Sequence, residues 1–341
     1  MTAFDNFFDR HLKLTLMFYN SASPFYGSVI STPIRTIVLE HFQPEDKNIR
    51  ISFDVEYYPD SSQKSGTVYI KVYNLNDDLN NIICSNDENL VVLARLEAGH
   101  NKKLSTIYEG QLVTRHANFE DNNVVTNMWG FITNLESIPQ FSDSISFEPR
   151  EGLKYSWSQM LRDIALSEGI TIDDSGLGKE ARENYELPLW TSFTFTSLID
   201  FLETMCKVLK IHYFLDGNLK LTLASLDSQD INYSKCKRLS KENGLFSDPN
   251  VTEAGLEVKC LLNPDLRPFD PIMIIADYAK LNIGSSASYT NVLRKMNSEF
   301  MKGYKNYYSG SYILFLSHSG DTYADLWETR IRTTISDKEL S

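Results

Sequence analysis

The tightest group of side chains able to do chemistry lies near the C-terminus: His318, Asp321 and Asp325. An imidazole and two carboxylates at that spacing are the raw material of a metal site or an acid–base pair. Their setting argues against both. They fall in and just after Ser317-His318-Ser319-Gly320-Asp321-Thr322, and turns select glycine and aspartate for backbone reasons. The phrase therefore reads as a turn. Glu180, Glu183 and Glu186 sit in a polar stretch and read as a solvated face. Glu148 and Glu151 flank Pro149, but a two-carboxylate hydrolase must hold its pair across a cleft, and no neighbouring pattern supplies one. No G-x-S-x-G, H-E-x-x-H, Walker-type or G-x-G-x-x-G phrase occurs. The expectation is a non-enzyme with no catalytic residue, cofactor or metal.

Composition narrows the class. The 341 residues suffice for two or more domains, and 42% hydrophobic residues provide for a packed core. A net charge of −12 argues against nucleic-acid binding through counterion release. No apolar run reaches the length of a membrane span, so no membrane insertion is expected. Asp5, Asp9, Arg10 and Lys13 interrupt the N-terminus, which does not read as a signal peptide. Cys84, Cys206, Cys236 and Cys260 stand apart without a C-x-x-C pair. They read as free thiols, Cys206 and Cys260 on apolar faces, in a chain folded in a reducing cytoplasm.

The periodicity then organises the chain. Residues 1–32 read as an N-terminal arm, although Leu12-Lys13-Leu14-Thr15-Leu16 alternates as a strand would. Over 33–145 a period of two dominates: strands are predicted over 49–55, 67–73, 90–99, 105–113 and 124–132. A short helix over 77–83 would be capped by Asn76. Residues 146–235 change character to an α+β region of two small β-α-β units. The first has helical spacing at Trp157, Met160, Leu161, Ile164 and Ala165, a strand over 170–172 and a polar loop from 173. The second has a strand over 193–195, a helix with the stripe Leu198, Phe201, Leu202, Met205 and Leu209, and a hairpin about Asp216-Gly217-Asn218. Over 236–341 strands return at 256–262, 273–276, 312–317 and 328–335, with a long insertion at 279–310.

Five phrases in order carry a resemblance. They are Tyr73-Asn74-Leu75-Asn76-Asp77, Leu96-Glu97-Ala98-Gly99, Ile107-Tyr108-Glu109-Gly110, Leu261-Leu262-Asn263-Pro264-Asp265-Leu266-Arg267-Pro268, and Ser317 to Thr322 followed by Trp327-Glu328-Thr329. Together, across roughly residues 35–335, they resemble the baseplate (tail) hub proteins of contractile-tailed bacteriophages. These are relatives of the N-terminal part of type VI secretion spike proteins. Tyr108 holds the family's aromatic position, while His100 stands where the family often has another aromatic. The resemblance implies a mainly β fold: two tube-like antiparallel β-barrel domains, 33–145 and 236–341, flanking the small β-α-β region. It implies a homotrimeric structural adaptor in the virion tail baseplate, assembled in the host cytoplasm. Its partners would be itself, the tail tube protein, the central spike protein and other baseplate proteins, with no sequence-specific nucleic acid. Two similar domains per chain would let three copies meet a six-fold tube.

Within that frame the 279–310 insertion stands out. Lys280, Arg294, Lys295, Lys302 and Lys305 face only Glu299 in charge, inside an acidic chain. Val292, Met296 and Phe300 recur at a spacing of four, as on one helix face. These are the expected partner contacts, toward a neighbouring subunit or another tail protein. Three other readings compete. One is the N-terminal hub portion of a type VI secretion-like spike, which would continue past Ser341 into an OB-like domain and a β-helix. Another is a cell-wall hydrolase of the tail tip, requiring two carboxylates of unequal pKa. The third is a carbohydrate-binding adhesin with a row of exposed aromatics.

Overall fold

The computed structural model describes residues 9–20, 32–42, 49–61, 64–85, 87, 89–100, 103–133, 145–147, 161–162, 170–177, 193–195, 198–226, 236–252, 255–276, 280–281 and 307–334. A first unit holds β1 (Arg10–Asn20), β2 (Arg35–Phe42), β3 (Ile51–Tyr57), β4 (Gly66–Tyr73), α1 (Asp77–Ile83), β5 (Leu90–His100), β6 (Lys103–Glu120) and β7 (Asn123–Phe131). The middle region holds β8 (Ile145–Phe147), β9 (Thr171–Gly176), β10 (Phe193–Phe195), α2 (Leu198–Leu209), β11 (His212–Leu215) and β12 (Lys220–Ala224). A second unit holds β13 (Lys237–Leu239), β14 (Asn250–Thr252), β15 (Gly255–Leu261), β16 (Pro271–Ala276), β17 (Lys280–Leu281), β18 (Tyr307–Asp321) and β19 (Trp327–Thr333).

Local chemistry explains most of these elements. Ile51, Phe53, Val55 and Tyr57 of β3, with Val68, Ile70 and Val72 of β4, point inward and are buried, while the residues between them stay wetter. The Asn76 side chain accepts the Leu79 N–H at 2.8 Å, and Asp77 and Asp78 follow, so α1 begins where the sequence places it. In α2 the apolar stripe buries Phe201, Leu202 and Cys206. All four cysteines are free, and burial pushes the Cys206 and Cys260 thiols up to about 12.

The protein is mainly β. One sheet runs through both units in the order β17-β14-β15-β19-β18-β3-β4-β7-β6-β5-β1-β2, with β16 paired to β18 and β13 to β16. Its pairing scheme occurs twice. In the first unit the order is β3-β4-β7-β6-β5; in the second it is β14-β15-β19-β18-β16, all antiparallel. The long strand of each unit changes partner at an irregularity. β6 leaves β5 for β7 near Leu112–Thr114, and β18 leaves β16 for β19 near Ile313–Phe315. Such a bulge bends the strand and adds twist. The first unit curls enough for the Tyr57 hydroxyl of β3 to donate to the Ile107 carbonyl of β6 across the interior. Its ladder does not close into a barrel among the described residues, because β2 is bonded only to β1.

Three expectations change. The 1–32 segment is in part an internal strand: β1 lies between β2 and β5, with Leu12, Leu14 and Leu16 fully buried. Its alternation was legible, but its partner β5 lies far along the chain. The polar loop expected from 173 begins instead as β9, because Thr171–Asp173 gain a parallel ladder with β12 and Asp173 pairs with Lys220 at 2.7 Å. The insertion is shorter than 279–310: β17 pairs with β14, and β18 begins at Tyr307 against Ala276. Of the helix predicted around 157–165, only the helical Leu161 and Arg162 are described.

Gly99 and Gly110 each sit where another stretch of backbone comes close. A Cβ on Gly99 would lie 1.9 Å from the Lys103 carbonyl oxygen, and one on Gly110 2.0 Å from that of Phe131. Tyr108, beside them, donates to the carbonyls of Gln111 and Phe131 from a buried site. Gly110→Ala must push β6 and β7 apart. It should cost about 1–3 kcal/mol, the range of overpacked sites, seen as a lower urea midpoint at unchanged m-value.

Candidate functional site: the joint between the two units

The two units meet edge to edge. The last six residues of β18, Leu316 to Asp321, run antiparallel to β3, with Leu316 opposite Tyr57, His318 opposite Val55 and Asp321 opposite Ser52. The phrase that reads as a turn in the sequence is therefore strand, and the turn follows it at 322–326. The reason lies in what Gly320 and Asp321 do. A Cβ on Gly320 would lie 2.7 Å from atoms of both Phe53 and Trp327, whose rings meet edge-on at 5.5 Å. The glycine is there for side-chain room. Asp321 ends the strand by accepting the N–H groups of Tyr323 at 2.8 Å and Ala324 at 3.2 Å.

Charge then locks the seam. The Arg50 guanidinium grips both oxygens of Asp321, Nη2 at 2.8 Å and Nε at 3.2 Å. Burial alone raises the Asp321 carboxyl, but Arg50 and the turn N–H groups outweigh it and hold it below the usual carboxylate range. Thr322 exchanges bonds with Ile51: its N–H donates to the Ile51 carbonyl, and its hydroxyl accepts the Ile51 N–H, each at 3.0 Å. Ser319 donates to Asp54 at 2.8 Å. Arg10, from the start of β1, donates to the backbone carbonyls of Asp321, Ala324 and Asp325 and lies over the Trp327 ring.

His318 is sealed in the core. It is fully buried, its Nδ1 lies 2.9 Å from the Thr329 hydroxyl, and the Tyr57 ring meets it edge-on. Burial drives its pKa down to about 3, so it is neutral at physiological pH. The candidate trio is not brought together as a reactive set: Asp321 serves Arg50 and the turn, and Asp325 enters through its backbone. Among the described residues no group of three or more His, Cys, Asp and Glu side chains could hold a metal ion.

The other phrase quoted from the second unit forms a second clasp. After β15, the Leu262 N–H donates to Trp327 and the Asn263 N–H to the Thr329 hydroxyl. The following turn reaches the first unit: Ser105 donates to Asp265 at 2.5 Å, and Arg267 Nη2 donates to the Thr106 carbonyl at 2.8 Å. Beside this clasp a cavity of about 710 Å³ opens, bordered by Tyr57, Glu109, Asp216, Lys220, Arg267 and Tyr312. Its cations already have partners, Lys220 in Asp173 and Arg267 in three carbonyls. The middle region docks close by, where Asp60 accepts the Tyr213 N–H and pairs with His212.

Sequence reasoning found one side of the joint. It quoted His318, Asp321, Asp265 and Arg267, but missed their partners Arg10, Arg50, Tyr57 and Ser105, which carry no local signal beyond strand alternation. Lys280 lies in β17. Val292, Arg294, Lys295, Met296, Phe300, Lys302 and Lys305 lie outside the described residues.

No protein-family model matches the chain, and no curated protein matches it. Solved structures similar to it come from phage tails and type VI secretion. A tail protein from Neisseria meningitidis MC58 is 7% identical, with 96% of this chain and 98% of that one covered, at a TM-score of 0.45. The 43 kDa tail protein of prophage MuSo2 from Shewanella oneidensis is 9% identical, covering 96% and 99%, at 0.47. The E. coli c3393 protein, a type VI secretion component described as similar to T4 tail proteins gp27 and gp5, is 8% identical, covering 86% and 75%, at 0.43.

The joint predicts a two-stage pH response. The unfolded chain binds the His318 proton near pH 6.5, whereas the folded chain refuses it until about pH 3. Stability therefore falls as pH drops through that window. Asp321, depressed in the fold, adds stability above the ordinary carboxylate pKa that is lost as pH falls through its lowered value. Urea titrations should show His318→Gln flattening the upper stage. Arg50→Gln should cost about 1–3 kcal/mol at pH 7, the scale of an abandoned, largely buried partner, and leave the upper stage in place.

Proposed function

We propose that this chain is the structural hub of a contractile-tail baseplate: a homotrimer that matches a six-fold tail tube to a three-fold spike. The observation that carries the reading is the twice-used pairing scheme joined edge to edge in one chain. A chain with two like units offers two similar docking surfaces per copy. Three copies offer six while keeping exact three-fold symmetry. Two of the phrases that resemble the hub family, Leu261–Pro268 and Ser317–Thr322, lie where the second unit grips the first, as expected if they maintain the spacing of the two.

On this reading the two units are the tube-like domains, bounded near 33–145 and 236–341, and the middle region decorates the outside. The tail tube protein, the central spike and other baseplate proteins are the partners, and the chain resides in the virion tail after assembly in the host cytoplasm. It works by shape and symmetry, without a catalytic centre or cofactor. The insertion contributes Lys280, Val292, Arg294, Lys295, Met296, Phe300, Lys302 and Lys305 as contacts to a neighbouring subunit or tail protein.

Light scattering on the full-length chain should give the mass of a trimer, alone or with tube and spike proteins, and purified tails should contain the chain. A monomer under every one of these conditions, absent from tails, would sink the hub reading. Deleting residues 285–305 should lower incorporation into tails; normal incorporation and infectivity would remove the insertion from the contact set.

A further inference from the structure

The joint inside the chain shows what the long strand of a unit does with its final residues. One side of Leu316–Asp321 is bonded to β19, and the other is taken by β3. The same strand in the first unit is β6. Aligning the two at their change of partner places Arg115–Glu120 on Leu316–Asp321.

The hydrogen-bonding phase agrees. Val124 turns its backbone toward β4, donating to Asn74 Oδ1 and accepting the Asn74 N–H. By the alternation of a strand, Val125 and Asn127 then face β6, where they meet Asn118 and His116. Arg115, Ala117 and Phe119 therefore turn their backbone groups away from β7. In β18 the Asp321 N–H goes to Leu326 across the turn, so Leu316, His318 and Gly320 are the residues that face β3. The two strands match residue for residue, but among the described residues no strand pairs with that side of β6: its ladder with β5 ends at Leu112. The edge is also apolar in part, with Val113 48% and Phe119 72% exposed. An unpaired edge of this kind recruits another strand.

We infer that this edge binds β14 of a second copy of the chain, repeating between copies the β18–β3 joint made within one. β14 is the counterpart of β3, since it forms the hairpin with β15 that β3 forms with β4. Its outward-facing residue is Val251. Leu261 donates to Gly244, so alternate residues of β15 back to Gly255 face β14, and Asn250 and Thr252 face β15 in turn. Matching the ladders places Val251 where Val55 stands. Ala117 then pairs with Val251 as His318 does with Val55, and Asn118 lies opposite Asn250 as Ser319 does opposite Asp54. In the single chain β17 covers Asn250 and Val251 with a parallel ladder of two residue pairs, which the antiparallel pairing with β6 displaces. The contact is head-to-tail, and three identical steps close into a ring when each turns the copy by a third of a revolution. The inference rests on the hub reading, which supplies the second copy.

The test uses the full-length chain. A non-hydrogen-bonded antiparallel pair brings its Cα atoms to about 4.5 Å, within disulfide reach. Asn118→Cys with Asn250→Cys should give reductant-sensitive dimers and trimers on a non-reducing gel after oxidation, and neither single variant should. Ala117→Pro removes an outward N–H and no bond to β7. It should keep the wild-type circular dichroism spectrum and lose the oligomer. A wild-type trimer that fails to cross-link in the double variant, or that survives Ala117→Pro, overturns the edge pairing and leaves the hub reading standing. A wild-type chain that is monomeric alone and with tube and spike proteins overturns both.

Discussion

A β-strand with bare backbone groups along one side must be covered, and the structure turns on how β18 meets that demand. Its final residues emerge from the second unit with β19 on one side only. β3 of the first unit supplies the other, and the two units become one sheet. A backbone ladder sets the relative height and twist of the units more tightly than packed side chains could, because a slip of one residue would turn every side chain to the wrong face. His318 would then leave the core and Asp321 would lose Arg50.

Around that ladder the polar groups are arranged so that none depends on a loose loop. Arg50 reaches Asp321 from just before β3, and Arg10 reaches the following turn from the start of β1. One short turn is thus held by two cations from different parts of the first unit. The clasp through Asp265 and Arg267 grips β6 at its beginning, on another part of the same unit. Two separate grips resist rotation about either one, which a flexible linker between domains would not do.

The repeated pairing scheme gives this joint a wider meaning. On the inference drawn above, the contact between like units inside one polypeptide is the template for contact between polypeptides. The first unit carries the same long strand with its final edge unpaired by any described strand. The chain therefore displays both a finished joint and half of another.

Much of this was legible in the amino-acid order. Alternation marked strands over 49–55 and 67–73, found at Ile51–Tyr57 and Gly66–Tyr73, and turn residues marked the hairpin about Asp216-Gly217, because side-chain period and turn chemistry are local properties. Asn76 marked the start of α1 for the same reason. Cys206 and Cys260 were readable as buried thiols from their apolar neighbours. What the order of residues left open is everything that depends on a partner distant in sequence. The alternation of Leu12–Leu16 could not reveal β5 as its neighbour. The glycine and aspartate of Ser317–Thr322 suggested a turn, since both suit one, and only the approach of Phe53 and Trp327 shows that Gly320 serves a crowded strand. His318 looked reactive by type and is inert by burial, because desolvation belongs to the folded surroundings and not to the residue. Local conformation was determined by the sequence itself; the joint, its charges and its open counterpart were decided by which edges the tertiary structure brought together.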